Sequence, residues 1–281
     1  MKCCLNPLIG VGRDAMFGAL LLALLAVPTI ASTDSSADSD PESLALMQAV
    51  SARADAGRQE AKLRFVLTPK TGSQQVRESV AYRSVDAQAR KLAIAFTAPA
   101  AIRGSSFLAW DARETSVADD QWLYLPALRR TRRIPGRERG SYFLGTDLTY
   151  DDIRSFGRME VAEFRLAPAQ PVAGANDVME IEGVPRDAEV AKDLGYSRIR
   201  WQVDTQRAFV LRSAHWDLQG APLKNVRYEQ LEKIGGVWAA RVIVVENLKT
   251  GHRTELQFSE IVNDAQFDPA RLTPAGLERG S

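Results

Sequence analysis

The sequence predicts a mainly β protein built around one large antiparallel sheet system. Three observations carry this. Apolar residues recur at every second position in many short runs, glycine- and proline-bearing turns separate those runs, and a single stretch has a helical period.

The elements follow in order. Lys2 and Arg13 precede the apolar run "AMFGALLLALLAVPTIA", which closes on the small residues Thr29 and Ala31. This is the layout of a secretory signal, and the run is short for a spanning helix. Cleavage is expected after Ala31, with the exported mature chain starting near Ser32. Residues 32–41, "STDSSADSDP", are polar and read as a flexible lead-in. From Glu42 to about Asp55, Leu44, Met47 and Val50 recur at three-residue steps, so a helix with one narrow apolar stripe is expected, with Pro41 in its first turn.

Beyond the helix the period is two. Leu63, Phe65 and Leu67 alternate with other residues, as do Leu92, Ile94 and Phe96. The same holds for Ile199, Trp201 and Val203, for Val226 and Tyr228, and for Leu256 and Phe258. Turns are expected at "PKTGSQ" (69–74), "QGAP" (219–222), "IGGV" (234–237) and "KTGH" (249–252). About ten to twelve strands result, mostly in hairpins. Polar loops are expected around 168–176 and 185–195, the second with a short helix. A sheet this large with one apolar face must cover it, and one helix is too little. Either two sheets pack face to face, or one sheet curls around a cavity; periodicity does not choose between them.

Composition narrows the function classes. Cys3 and Cys4 both precede the apolar run, so the mature chain is expected to lack disulfides, zinc–thiolate sites and cysteine nucleophiles. The chain has 36 basic and 35 acidic residues, and removing Lys2, Arg13 and Asp14 with the leader brings the two to parity. Only two histidines occur, His215 and His252, too few to anchor a metal site without several carboxylates, and surface positions are expected for both. No "GxSxG" or nucleotide-binding fingerprint is present, so no catalytic residue, metal or cofactor is assigned.

One segment departs from this even balance. Between Arg129 and Arg139 stand Arg129, Arg130, Arg132, Arg133, Arg137 and Arg139 against one acid, Glu138, with Gly136, Gly140 and Gly145 nearby. Asp147, Asp151 and Asp152 follow and are expected to neutralise the arginines. Nucleic acid is an improbable target for an exported, neutral body. Two readings stand: a solvated strand edge that resists sheet-to-sheet pairing, or a docking patch for an anionic partner, which the planar fork of arginine suits.

The segment also carries a resemblance. Trp122, Tyr124, Leu125, Pro126, Ala127, Arg130, Arg132, Arg133 and Ile134 match the outer-membrane lipoprotein-sorting family, the LolA-like group. So do Gly140, Phe143, Gly145, Asp147, Tyr150 and Asp152. Pro99, Arg103 and Gly104 upstream are similar, and Trp216, Gly220, Lys224, Trp238, Asn247, Gly251 and Thr254 fit more loosely. The resemblance implies a curled, incompletely closed antiparallel β-barrel with a helical lid, occupying 42–281 as a single domain. It implies a cavity for a lipid or lipid-modified ligand and, as partner, an inner-membrane lipid exporter of the resistance-nodulation-division type. The candidate cavity residues are Phe65, Phe96, Trp122, Tyr124, Trp201 and Phe258. The six arginines are the candidates for transient contact with headgroups or with the partner. A docking adaptor without a ligand and an envelope-lipid-modifying enzyme are the rival readings.

Overall fold

Helix α1 (Pro41–Arg53) begins where Asp40 accepts a hydrogen bond from the Ser43 amide at 2.9 Å, an N-cap that satisfies one of the first free donors. The computed structural model describes residues 38–53, 57–113, 119–155 and 160–278, which lie within one compact unit, Ala37–Ser281. The expected signal, 1–31, and residues 32–37 of the lead-in lie outside the described residues. So do positions 54 and 55 of the expected helix. The buried stripe of α1 is Ser43, Met47 and Val50. It is offset from the expected one because Ser43, not Leu44, is fully enclosed, its hydroxyl donating to the Ala167 carbonyl at 2.8 Å.

Fourteen strands follow among the described residues. In the first half these are β1 (Arg58–Thr68), β2 (Gln75–Val85), β3 (Ala89–Ala98), β4 (Ser106–Ala112), β5 (Asp120–Leu125) and β6 (Arg130–Arg133). The second half has β7 (Phe164–Leu166), β8 (Gln170–Pro171), β9 (Val178–Pro185), β10 (Arg198–Asp204), β11 (Phe209–Trp216), β12 (Pro222–Ile234), β13 (Val237–Asn247) and β14 (Arg253–Asn263). Short helices α2 (Gly136–Arg139) and α3 (Tyr150–Ser155) bridge the halves, α4 (Ala188–Leu194) lies in the second and α5 (Pro274–Leu277) ends the described chain.

All strands belong to one antiparallel sheet of order β6-β5-β4-β3-β2-β1-β14-β13-β12-β11-β10-β9-β7, with β8 paired to β9. Each half is a meander, and the pairing of β1 with β14 joins them. The end strands β6 and β7 do not pair with each other, so the sheet is curled but not closed into a barrel. The face-to-face sandwich is thereby excluded. The expected strand count was low because β6, β7 and β8 are too short to show a period.

The concave face is filled in two ways. Over the first half, residues 143–153 cross the sheet, and Phe143 packs on Phe65, Phe96 and Phe107 with ring centroids 6.2, 6.1 and 5.3 Å away. Over the second half, Met47 and Val50 of α1 pack with Phe164, Tyr196 and Trp201. Each such side chain, fully buried, stabilises by about 1.5–3 kcal/mol. Helix α1 therefore shares the covering with the 143–153 crossing. The convex face of β2–β5 is covered too: the chain end brings Leu272 and Leu277 onto Tyr82 and Leu108.

Candidate ligand-binding site

Two neighbouring cavities remain on the concave side. The first, about 160 Å³, is walled by Leu63, Ala81, Leu92, Ile243 and Phe258, with Trp238 and Phe209 at one side. The second, about 110 Å³, is walled by Val50, Phe164, Ile199, Trp201 and Val226. Arg53, Ser155, Phe209, Tyr228 and Ile243 line both. Arg53 ends α1 and donates to the carbonyls of Ala208 and Trp238, its guanidinium 4.3 Å from the Phe209 ring centroid. The last turn of the helix is thus fastened to the rims of β11 and β13.

The second cavity has a polar floor. Lys224 of β12 has no exposed side-chain surface; its Nζ donates to Asp152 Oδ2 at 2.5 Å and to the Asp147 carbonyl at 2.9 Å. Tyr196 donates its hydroxyl to the same Asp152 oxygen at 2.7 Å. Burial pushes the Asp152 carboxyl up, but Lys224, His215 and these hydrogen bonds outweigh it, so its pKa lies below the usual value. Tyr196 is held well above the ordinary phenol value by burial and by Asp152. His215 sits beside this pair, 7 % exposed, not at the surface as expected. Burial and the Lys224 charge drive its pKa down to about 3, so its ring is neutral.

The Ser213 hydroxyl lies 2.9 Å from His215 Nε2, and both residues line the second cavity. A serine–histidine pair invites comparison with nucleophilic catalysis. Here the other ring nitrogen, Nδ1, meets no carboxylate; it is buried and has no hydrogen-bond partner among the described residues. An imidazole with that pKa does not accept a serine proton at neutral pH, so the pair lacks the base of a triad.

A second buried charge lies at the junction of the cavities. Arg154 of α3, its side chain 2 % exposed, meets Asp111 at 2.6 Å, Asp151 at 2.8 Å, Asp119 at 3.0 Å and Glu163 at 3.3 Å. One cation cannot balance four carboxylates. Burial, with repulsion from neighbouring acids, lifts Asp119 to about 6 and Glu163 to about 8 against the pull of Arg154.

The sequence-derived candidates divide. Phe258 lines the first cavity and Trp201 the second. Phe65 and Phe96 have no exposed surface and are packed against Phe143, so they are core beneath the crossing segment. Trp122 and Tyr124 lie on the opposite face. Leu123 points into the concave core, so its neighbours must point out, and Trp122 packs on Trp110 with centroids 5.2 Å apart.

Arg129, Arg130, Arg132, Arg133 and Arg137 are exposed around the edge strand β6. Arg132 pairs with Glu138 at 2.7 Å and Arg133 with Asp120. Arg139 departs from the set: half-buried, it donates to the Asp119 carbonyl. The acids that follow do not serve the arginine loop as expected. Asp147 pairs with His252 at 2.5 Å, Asp151 with Arg154 and Asp152 with Lys224, all turned toward the sheet. A Cβ on Gly140 would stand 2.9 Å from the Gly195 Cα, so α2 approaches the end of α4 too closely for any side chain.

An open antiparallel sheet, curled around apolar space and covered by a helix and a crossing segment, is the LolA-like fold. Residues 88–279 match the model of a family described as an uncharacterized protein, and the chain belongs to that family. Solved structures share the fold. A domain described as an outer membrane lipoprotein-sorting protein, from Vibrio parahaemolyticus, is 26 % identical with a TM-score of 0.74, covering 84 % of this chain and 98 % of its own. A DUF1329 family protein from Desulfovibrio piger is 24 % identical with a TM-score of 0.76, covering 85 % and 99 %. A LolA superfamily protein from Nitrosomonas europaea is 17 % identical with a TM-score of 0.61, covering 81 % and 97 %. No curated protein matches the chain. No helix among the described residues is long and apolar enough to cross a membrane.

Proposed function

We propose that the protein is a periplasmic carrier or accessory protein that holds a lipid-like hydrophobic ligand during transport through the cell envelope. The observation that carries this reading is the pair of adjoining cavities, walled largely by apolar side chains, beneath the cover of the curled sheet. The first cavity is near the roughly 150 Å³ that accommodates a benzene ring, so it suits a ring or a short stretch of acyl chain. Six buried methylenes would contribute about 5 kcal/mol before ordering costs. The likeness to a lipoprotein-sorting domain supports a carrier, and the N-terminal apolar run supports export.

The exposed arginines of the β6 edge support transient contact with anionic headgroups or with an acidic face of a membrane partner. A lipid exporter of the resistance-nodulation-division type is the partner that the family resemblance implies. The unactivated Ser213–His215 pair favours a carrier over a lipid-modifying enzyme. Native mass spectrometry of protein isolated from its own envelope tests the proposal. A discrete added mass that organic extraction removes is expected. Protein that carries no such mass, and takes up no apolar probe, would leave the docking adaptor as the better reading.

A further inference from the structure

We propose that the second cavity receives the hydroxyl headgroup of an uncharged lipid, with Ser213 and His215 as its recognition pair. The inference rests on the carrier reading and goes further by naming the ligand class. Strand β11 sets the two residues two positions apart, so both face inward. The ring of His215 is held by Ser213 on one side and by an edge contact with Tyr196, centroids 4.7 Å apart, on the other. Its Nδ1 is then left buried and without a hydrogen-bond partner among the described residues, on a side chain that lines the cavity. A buried polar atom in that state gains a full hydrogen bond from a ligand without giving one up. A hydroxyl both donates and accepts, so it satisfies Nδ1 in either tautomer; a bare carbonyl would serve only one.

Burial selects against acids. Lys224 and Arg154 are engaged with Asp152 and Asp151, and Arg53 donates to the carbonyls of Ala208 and Trp238. A carboxylate or phosphate would be buried there without a counter-ion of its own. The residues shared by the two cavities then set the pose. With a headgroup at His215, the tail passes Phe209 and Tyr228 into the first cavity, toward Phe258.

The test uses the full mature chain and three probes of equal length: dodecan-1-ol, dodecane and dodecanoate. Titration calorimetry should give dodecan-1-ol about tenfold tighter binding than dodecane, the return on one buried hydrogen bond, with dodecanoate weaker than the alcohol. In Ser213→Ala and His215→Phe the preference for alcohol over alkane should fall to about one. In the wild type, the Nδ1 resonance of His215 in ¹⁵N spectra should move with dodecan-1-ol and stay with dodecane. Equal affinity for alcohol and alkane in the wild type, or an unmoved Nδ1 resonance, overturns the headgroup assignment while leaving the carrier reading intact. Tighter binding of dodecanoate than of dodecan-1-ol also overturns it. Failure of all three probes to bind overturns both. The spectrum needs no variant, so a misfolded His215→Phe does not shield the proposal.

Discussion

Lys224 Nζ and Asp152 Oδ2 stand 2.5 Å apart beneath the crossing segment, and the lysine has no exposed side-chain surface. Removing one partner of a buried ion pair leaves the other uncompensated, which costs about 3–5 kcal/mol. Lys224→Met should lose stability on that scale in urea denaturation. Lys224→Met combined with Asp152→Asn should regain part of it. A single-variant loss under about 1 kcal/mol would show that the pair is already well solvated.

The acids around Arg154 give stability a pH dependence of known sign. Asp119 and Glu163 are raised to about 6 and about 8, so between their ordinary values and these the folded state holds more protons than the unfolded chain. Their contribution is full below about pH 4 and is lost as pH rises through these values. His215, lowered to about 3, works oppositely: its contribution is present above about pH 6.5 and is lost as pH falls toward 3. Between about pH 6.5 and 8 the Glu163 effect is therefore neither opposed by His215 nor augmented by Asp119. Thermal melts should show wild type losing stability relative to Glu163→Gln across that window. Parallel curves would contradict a raised Glu163.

Gly183 of β9 lies beneath Trp201, where a Cβ would come within 2.6 Å of the indole Cζ3. Gly183→Ala must push the indole toward the second cavity. Overpacking of this kind costs about 1–3 kcal/mol. A lower denaturation midpoint with a changed Trp201 emission spectrum is expected; an unchanged spectrum would mean that the backbone yields instead.

The two faces of the sheet should separate cleanly by mutation. Phe258→Lys places a charge at the first cavity and should weaken uptake of a small apolar fluorescent probe by about tenfold or more. Trp122→Ala removes a ring from the convex face and should lower stability with probe affinity kept. Equal effects of both variants on probe binding would contradict the assignment of faces.

Five exposed arginines offer a field that salt should erase. Vesicles of anionic lipid should bind wild type at about 0.1 M salt and release it near 1 M, as the Debye length shrinks from about 10 to about 3 Å. The variant with Arg129, Arg130, Arg132, Arg133 and Arg137 all changed to glutamine should fail to sediment with them. Equal sedimentation of both proteins would make the arginines a solvated edge only.

Much of the sheet was legible because its long strands are wet on one side. Leu63, Phe65 and Leu67 declare their face by alternation, as do Ile199, Trp201 and Val203. Strand β5 does not: "WLYL" is apolar at every position because both faces are covered there, so its sequence cannot say which side holds the cavity. That ambiguity placed Trp122 and Tyr124 on the wrong face. The polar floor was hidden for a different reason. Ser213, His215, Lys224 and Asp152 come together through strand pairing and a crossing segment, which no local spacing reveals. One signal was present: Lys224 shares the inward row of Val226 and Tyr228, and a lysine in an apolar row calls for a buried partner. The acids misled because nearness in sequence to the arginines was taken for nearness in space.

The pairing of β1 with β14 sets Leu63 opposite Phe258 and so joins the first strand of the chain to its last. Every hairpin of the two meanders can form from neighbouring residues, but this seam must wait for nearly the whole domain to be made. Loop closure over such a span is slow relative to hairpin formation. Until it happens, β1 presents a long, half-apolar edge to any other strand in reach. The seam is thus the step of assembly at which a strand of another copy competes with β14 for the same edge.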